Sequence, residues 1–359
     1  MAGFECSSHR RADGRRLDLI QSTRHDQWAY ADYRALKVHG LPSVRDGLRW
    51  HLIEASSGCY DWTSFLPMVQ AAHRAQVQVI WDLCHYGIPD GLNIWQPEFV
   101  QRFAKFAAEV ARIVMRETDQ FPIYCPINEI SFWAWAGGEV AFFNPLARGR
   151  GLELKHQLVR ATIAAIEAIR EVDPRARFIT AEPLIHVLPR VDCPGEKAQA
   201  EAYRLSQFEA LDMLIGESWP GLGGDPKYLD MVGLNYYSTN QWFLGGGKIS
   251  PNASAYRSVF DMLAEVYLRY GRTLLIAETG AEGQDRSGWI DYICREVCSA
   301  QKVGIPVDGL CLYPIVDYPG WDDDRHCPTG LFGYADAHGA RPVDPPLRNT
   351  LSLWQVGRS

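Results

Sequence analysis

Short apolar runs alternate with longer amphipathic stretches along the whole chain. Eight of the runs read as strands, and most of them are apolar at successive positions, which is typical of parallel strands buried on both faces. These predicted strands are residues 3–6, 41–50, 77–83, 121–127, 178–181, 231–236, 274–277 and 307–313. The helical spacing of apolar residues predicts helices over residues 63–75, 99–116, 154–172, 198–215, 259–270 and 289–303.

This alternation predicts an α/β fold. Repeated strand–helix units with buried strands favour a parallel sheet covered by helices, and eight such units close into a (β/α)8 TIM barrel. An open doubly wound sheet is the competing fold, and it usually carries a glycine-rich phosphate loop that opens a helix. The glycine run at residues 245–247 lies in a predicted loop instead. Because no low-complexity segment or linker divides the chain, we predict a single barrel domain over residues 1–359.

Polar and aromatic residues are concentrated at the carboxyl ends of the predicted strands, where barrel enzymes place their active sites. Glu129 and Glu278 are the most informative, because each ends a buried strand and glutamate is uncommon in strands. The two strands lie far apart in the sequence, and a barrel brings their ends to one mouth. The other residues near strand ends are Arg45, Trp50, His85, Asn128, Glu182, His186, Asn235, Tyr237, Asp317 and Trp321.

Two glutamates that face each other across a barrel mouth suit the cleavage of a glycosidic bond. One carboxyl group, kept protonated, donates its proton to the leaving oxygen, and the other, ionised, attacks the anomeric carbon. An arginine lowers the pKa of a neighbouring carboxyl group and a tyrosine hydroxyl can hold its second oxygen, so Arg45 and Tyr237 suit these tasks. Many of the 12 Trp and 16 Tyr residues lie near strand ends, where their faces can stack on a sugar ring.

Composition argues against several other classes of function. The net charge is -7, and no run of Lys or Arg marks a surface that binds nucleic acid. No apolar run reaches the length of a membrane span and the first residues lack a secretory signal pattern, so we expect a cytoplasmic protein that does not enter the membrane. Its 9 cysteines are expected as reduced thiols. The acidic run at residues 322–324 is expected to be solvated, and we predict no metal or cofactor.

The strand-end residues also resemble those of glycoside hydrolase family 1, the β-glucosidase-like enzymes, in the same order along most of the chain. Each motif is weak alone, and the shared order at successive strand ends makes the resemblance specific. The segments that carry it are Val44-Arg45-Asp46-Gly47-Leu48-Arg49-Trp50 (family Tyr-Arg-Phe-Ser-x-x-Trp), Leu83-Cys84-His85-Tyr86-Gly87-Ile88-Pro89 (Leu-Tyr-His-Trp-Asp-Leu-Pro), Ile127-Asn128-Glu129-Ile130 (Thr-x-Asn-Glu-Pro), Gly233-Leu234-Asn235-Tyr236-Tyr237 (Gly-x-Asn-Tyr-Tyr) and Ala277-Glu278-Thr279-Gly280 (Thr-Glu-Asn-Gly).

The resemblance implies a (β/α)8 enzyme that cleaves a β-linked glycoside with retention of anomeric configuration, and so a carbohydrate as its binding partner. It implies that Glu129 is the general acid/base and Glu278 the nucleophile, with carboxyl groups about 5–5.5 Å apart. The implied supporting roles are a contact with the sugar 2-hydroxyl for Asn128, a contact with another glycon hydroxyl for His85, and orientation of Glu278 by Arg45 and Tyr237.

The sequence departs from this family at residues that recognise glucose. The family has Asn-Phe-Glu-Trp after the last strand, and the glutamate that grips the outer hydroxyls of glucose is replaced here by Gly320, next to Trp321. On the first strand the family's Ala-Tyr-Gln becomes Ser8, His9 and Arg10. We therefore expect a glycon other than plain glucose, and an Arg or His facing that subsite would favour an acidic or otherwise altered sugar.

Three functions stay open on the sequence alone. The first is a retaining β-glycoside hydrolase acting on a small β-linked glycoside or oligosaccharide. The second is a carbohydrate-binding barrel that has lost catalysis. The third is a transglycosylase using the same two glutamates, because hydrolysis and transfer share the covalent intermediate. The aglycone, the oligomeric state and the roles of Glu182 and His186 are open as well.

Overall fold

The computed structural model of the protein describes residues 1–356. Eight parallel strands close into a barrel in which each strand pairs with its neighbours in the chain and the first pairs with the last. This confirms the predicted (β/α)8 fold. The barrel strands are β1 (Ala2–Gly3), β2 (Ser43–Gly47), β3 (Gln78–Asp82), β4 (Ile123–Cys125), β5 (Arg177–Pro183), β6 (Met231–Asn235), β7 (Thr273–Thr279) and β8 (Val307–Leu312).

A helix follows every barrel strand and covers the outside of the sheet. These helices are His25–Val38, Leu66–Ala75, Pro97–Glu117, Gly151–Val172, Glu209–Ile215, Val259–Tyr270, Asp285–Lys302 and Pro345–Val356. Shorter α-helices lie at Leu19–Ser22, Trp50–Ile53, Ile130–Trp133 and Lys197–Leu205, a π-helix at Ala134–Glu139, and 3-10 turns at Trp62–Ser64, Pro194–Glu196, Ser206–Phe208, Pro220–Leu222 and Pro226–Tyr228.

Two small sheets lie outside the barrel. His186–Leu188 pairs in parallel with Gln241–Phe243, and Tyr318–Pro319 pairs antiparallel with His326–Cys327. Both sheets follow barrel strands at their carboxyl ends, so they add to the wall around the mouth. Among residues 1–356, no helix is long and apolar enough to span a lipid bilayer.

The structure differs from the sequence prediction in three helical regions. The predicted helix at residues 198–215 is two helices joined by a 3-10 turn. The first and last long helices, His25–Val38 and Pro345–Val356, were not predicted. In the first of them the buried positions include His25 and Asp32. Polar residues on the inner face therefore hide the apolar spacing on which the prediction relies.

The core has an apolar outer layer and a barrel interior that changes from apolar to polar. Outside the sheet, Trp50 and Phe106 stack with ring centroids 5.2 Å apart, and both are fully buried. Inside the barrel, Ile80, Ile179 and Leu275 form a separate apolar cluster. Nearer the carboxyl ends of the strands, the barrel interior is filled by charged side chains instead, and the candidate site lies there.

A buried charge network joins the first long helix to β2 and to the loop after β8. The ring nitrogens of His25 lie 2.8 Å from Asp32 Oδ2 and 2.8 Å from Asp46 Oδ2. Arg341 donates two further hydrogen bonds to Asp32, of 2.7 and 2.9 Å. Burial alone would lower the pKa of His25, but the carboxylates of Asp46 and Asp32 outweigh it and raise that pKa to about 9. His25 is therefore a buried cation at neutral pH.

Replacing His25 with Gln is expected to lower the free energy of unfolding by about 3–5 kcal/mol, because Asp46 then stays buried without a cation. Since the folded pKa of about 9 lies above the ordinary value, the contribution of His25 is complete below about pH 6.5 and declines as the pH rises toward that folded value. Urea unfolding between about pH 6 and pH 9 measures both effects. His338→Gln, on an exposed side chain, is the control. An equal loss of unfolding free energy in the His25 and His338 variants would contradict the assignment of His25 as a buried, stabilising cation.

Candidate active site

A cavity of about 2150 Å³ opens at the carboxyl ends of the barrel strands. Both predicted catalytic residues, Glu129 and Glu278, line it, together with His85, Tyr237 and Trp321. The barrel thus brings residues that follow β3, β4, β6 and β8, and one that lies on β7, to a single cavity, as expected for strand-end residues of this fold.

The guanidinium group of Arg45 on β2 is the centre of a fully buried network beside the cavity. Its Nε and Nη2 lie 2.9 and 2.7 Å from the carboxylate oxygens of Asp82 on β3. Nη1 donates to Glu278 Oε1 at 2.7 Å, and Nη2 donates to Asn128 Oδ1 at 2.6 Å. One side chain therefore sets the positions of polar groups from three other strands.

Glu278 is a nearly buried carboxyl group held at both oxygens. Besides the bond from Arg45, its Oε2 accepts a hydrogen bond of 2.9 Å from the Tyr237 hydroxyl. Burial raises the pKa of Glu278 above its usual range, and the nearby positive charge of Arg45 opposes that rise. The sequence prediction that Arg45 lowers this pKa therefore describes its contribution but not the net direction of the shift.

Glu129 is half-buried and stands at the start of the short helix Ile130–Trp133. Its Oε2 accepts a hydrogen bond of 2.7 Å from the Tyr86 hydroxyl. Both residues have left-handed backbone conformations, with φ of 45° at Glu129 and 68° at Tyr86. Such conformations cost non-glycine residues roughly 1 kcal/mol or more and are concentrated at functional sites. Burial, followed by the negative charge of Glu278, raises the pKa of Glu129 to about 8.

The two carboxyl groups are therefore unequal. Glu278 contacts a permanent cation, whereas the hydrogen-bond donor to Glu129 is a neutral hydroxyl. A pKa near 8 keeps Glu129 protonated at neutral pH. Glu278, stabilised as an anion by Arg45, is then the group that ionises first. The pair can supply a proton donor and a carboxylate in one cavity.

Asn128 and His85 are bonded to the protein rather than free to meet a ligand. Asn128 Oδ1 accepts from Arg45, so its Nδ2 must be the donor to His85 Nε2 at 3.0 Å and to the Tyr86 hydroxyl at 3.0 Å. The other ring nitrogen of His85 lies 3.1 Å from Asp82 Oδ2. His85 lines the cavity, and a sugar hydroxyl bound through Nε2 would have to replace the bond from Asn128.

Asn235 and Trp321 occupy different layers of the site. Asn235 is fully buried, and its Nδ2 donates to Asn128 Oδ1 at 3.3 Å. Trp321 is half-buried at the cavity wall, with its ring 4.7 Å from that of His9 and 5.9 Å from that of Tyr86. Asn235 therefore supports the network, and Trp321 offers an aromatic surface to a ligand.

Glu182 lies behind Glu129 and does not line the cavity. It is buried, and the backbone N–H of Ser131 donates to its two carboxylate oxygens at 3.1 and 3.3 Å. Burial raises the pKa of Glu182 to about 7. Glu182 therefore holds the chain two residues after Glu129, and its charge contributes to the raised pKa of Glu129.

The structure does not place Arg10 in the cavity, which corrects its expected contact with the sugar. Its Nε and Nη2 donate to the two carboxylate oxygens of Asp90 at 2.8 and 2.6 Å, and this exposed ion pair holds the guanidinium away from the cavity. His9 is buried with its ring stacked 4.4 Å from that of Phe143. Burial lowers the pKa of His9 to about 3, so it is neutral.

The residues of the site that were missed in the sequence include Asp82, which pairs with Arg45, as well as Tyr86 and Glu5. Tyr86 donates to Glu129, and its position directly after His85 in the motif was the available signal. Glu5 follows β1, lines the cavity and is 8% exposed. A glutamate inside a run that otherwise reads as a buried strand could have identified it, in the same way as Glu278.

One buried set of side chains has metal-ligand chemistry. Cys6, Asp82 and His85 bring one candidate ligand atom each within 4.8 Å of one another. The same Asp82 carboxylate is bonded to the Arg45 guanidinium, whose charge repels a metal cation. Burial raises the pKa of the Cys6 thiol well above its usual range, which disfavours the thiolate that a metal requires. The set therefore fits a hydrogen-bonded cluster better than a metal centre.

The fold and the cavity define the class as a (β/α)8 barrel with a cavity at its strand ends, and the comparisons with known proteins agree on the barrel fold. The chain is similar to the β-glucosidase from Thermotoga maritima in complex with glucoimidazole, with a TM-score of 0.77, 15% identity, and coverage of 94% of this chain and 87% of that chain. The complex of that enzyme with deoxynojirimycin gives a TM-score of 0.76, 15% identity, and coverage of 94% and 87%.

A structure described as the family 1 β-glucosidase from the same organism gives a TM-score of 0.76, 15% identity, and coverage of 93% of this chain and 87% of that chain. No model of a protein family matches the sequence, and no curated protein matches it. At this level of identity the likeness establishes the barrel fold.

Replacing Glu278 with Gln is expected to lower the pKa of Glu129 from its value of about 8, because the charge that raises it is removed while burial stays. The carboxyl carbon of Glu129, followed by ¹³C NMR against pH, reports this directly. The exposed carboxyl group of Glu153 provides the control variant, Glu153→Gln. An unchanged Glu129 titration in Glu278→Gln would show that the two carboxyl groups do not interact.

Proposed function

We propose that this protein is a retaining β-glycoside hydrolase, with Glu278 as the nucleophile and Glu129 as the general acid/base. The observation that carries the proposal is the unequal setting of two carboxyl groups in one cavity. Arg45 and Tyr237 hold Glu278, and the Tyr86 hydroxyl holds Glu129. The similar fold of β-glucosidases in complex with glucoimidazole and deoxynojirimycin supports it.

In the first step, a carboxylate oxygen of Glu278 attacks the anomeric carbon as the glycosidic bond breaks. Glu129 transfers its proton to the leaving oxygen, and its pKa of about 8 supplies the protonated form at neutral pH. Arg45 and Tyr237 orient Glu278, so little rearrangement is needed before attack. Tyr86 holds Oε2 of Glu129, which leaves Oε1 for proton transfer.

In the second step, Glu129 is ionised and takes a proton from a water molecule. The oxygen of that water attacks the anomeric carbon and releases the carboxylate of Glu278. Two successive displacements at one carbon retain its configuration.

The cavity supports a substrate larger than one sugar. Its volume of about 2150 Å³ exceeds the roughly 300–1,000 Å³ of typical small-ligand pockets. Aromatic side chains that follow β4 and β6, Phe132, Trp135 and Trp242, line the part away from β1. These surfaces suit an aglycone or a second sugar, consistent with a small glycoside or oligosaccharide. They would also suit a sugar acceptor, so product analysis with and without an acceptor separates hydrolysis from transglycosylation.

Glu278→Ala is expected to reduce turnover of 4-nitrophenyl β-glycosides by more than about 10³-fold, because the covalent nucleophile is removed. Sodium azide is expected to restore part of the activity and to yield a glycosyl azide of inverted configuration. Glu153→Ala is the control on an exposed side chain. Full activity in Glu278→Ala would overturn the proposal, as would wild-type protein that binds sugars without turnover.

Glu182→Gln is expected to shift the alkaline limb of kcat/KM to lower pH by less than about one unit, because a negative charge that raises the pKa of Glu129 is lost. Glutamine can still accept the bond from Ser131, so kcat should change less than in Glu182→Leu. Glu153→Gln should leave the limb in place. An unchanged limb with equal losses of kcat in both Glu182 variants would assign Glu182 a purely structural role.

A further inference from the structure

Glu5 presents a further, buried carboxyl group to the cavity that holds Glu129 and Glu278. It is 8% exposed, and its Oε1 accepts hydrogen bonds from the Ser7 N–H at 3.0 Å and the Ser7 hydroxyl at 2.6 Å. Oε2 has no hydrogen-bond partner among residues 1–356. Ser7 therefore fixes the carboxyl group in one orientation and leaves one oxygen available to a ligand.

Glu5 lies near the catalytic pair. Burial and the charge of Glu278 raise the pKa of the Tyr237 hydroxyl well above its usual range, and the charge on Glu5 raises it further. Glu5 and Glu278 thus act on the same hydroxyl. Both carboxyl groups also line the same cavity, which is the geometric basis for a contact between Glu5 and a sugar held at Glu278.

In the loop after β8, residue 320 does not supply this carboxyl group, and Asp322 and Asp323, which also line the cavity, are exposed whereas Glu5 is buried. The resemblance to family 1 puts that family's hydroxyl-gripping glutamate at Gly320, where a Cβ atom would lie 2.5 Å from Asp323 Oδ1. Any larger residue at 320 therefore requires the Asp323 side chain to move. β1 and β8 are neighbours in the barrel, so Glu5 brings a carboxyl group to the same side of the mouth from the adjacent strand.

Permanent positive charges around the cavity are few and occupied. In the described part of the chain, three Lys and Arg residues line the cavity: Lys155, Lys248 and Arg325. Lys155 and Arg325 are paired with carboxylates at 2.6 and 2.7 Å. Lys248 donates to the Ser238 hydroxyl and follows β6, three strands from β1 around the barrel. Arg10, the cation expected from the sequence, is paired with Asp90 outside the cavity.

We propose that Glu5 accepts hydrogen bonds from the outer hydroxyls of the glycon and selects a neutral or cationic sugar against an anionic one. This inference rests on the proposed glycosidase function. An ionised carboxylate only accepts hydrogen bonds, so hydroxyl and ammonium groups suit it, and it repels the carboxylate of a uronic acid or a sugar phosphate. This proposal differs from the acidic or otherwise altered sugar that an Arg or His facing the subsite would favour.

The test compares wild type, Glu5→Gln and the control Glu153→Gln on three 4-nitrophenyl β-glycosides that differ at C6: the 6-amino-6-deoxyglucoside, the glucoside and the glucuronide. The galacto series is used if it turns over faster. Wild type is expected to favour the amino sugar and the neutral sugar over the uronide. In Glu5→Gln, kcat/KM for the neutral sugar should fall roughly 10- to 100-fold, the range for a hydrogen bond to a charged group. The preference against the uronide should shrink, and Glu153→Gln should match wild type.

Two results would overturn the role of Glu5 while leaving the glycosidase assignment intact. One is a wild-type preference for the uronide. The other is a Glu5→Gln variant that changes all three substrates by the same factor. If wild type hydrolyses none of the glycosides, the glycosidase proposal fails instead. The contact of Glu5 with sugar hydroxyls is then tested by measuring the affinity for deoxynojirimycin by calorimetry. Binding weakened at least roughly tenfold in Glu5→Gln but not in Glu153→Gln supports its contact with sugar hydroxyls, and equal binding refutes it.

Discussion

The candidate site depends on the positive charge of Arg45, which is buried with no exposed surface. A cation in the interior of a barrel is very unfavourable unless anions and acceptors surround it. Asp82, Glu278 and Asn128 meet that requirement, and they come from three other strand regions. The electrostatic need of one side chain therefore aligns four strands and positions the polar ends that face the cavity.

The same network makes the two catalytic candidates different from each other. Arg45 lies on the Glu278 side, whereas Glu129 accepts a hydrogen bond from the neutral Tyr86 hydroxyl. Burial acts on both carboxyl groups and raises both pKa values. The contact with a fixed cation distinguishes them, so the difference between proton donor and carboxylate is a property of the surroundings rather than of the residue type.

Much of the site could be anticipated from the sequence, because a polar residue in a buried strand is unfavourable unless it has a partner or a function. Glu129, Glu278, Arg45 and Tyr237 were found in this way, and the structure brings all four together. Arg10 was misplaced because an exposed loop can pair its charge with Asp90, a contact between residues 80 positions apart that no local pattern reveals. Their catalytic roles stay predictions.

By itself, the sequence determined the number and order of the strands, the barrel, and the two glutamates at strand ends, because these depend on local spacing and on burial. It could not determine which charged side chains are paired within the protein and which are available to a ligand. That depends on pairs formed across the barrel, such as Arg10 with Asp90, Ser7 with Glu5 and Arg45 with Glu278. Only the tertiary structure decides these partners, since the strength of a charge in a protein depends on what surrounds it in space. Which charged groups face the cavity is therefore set by the fold.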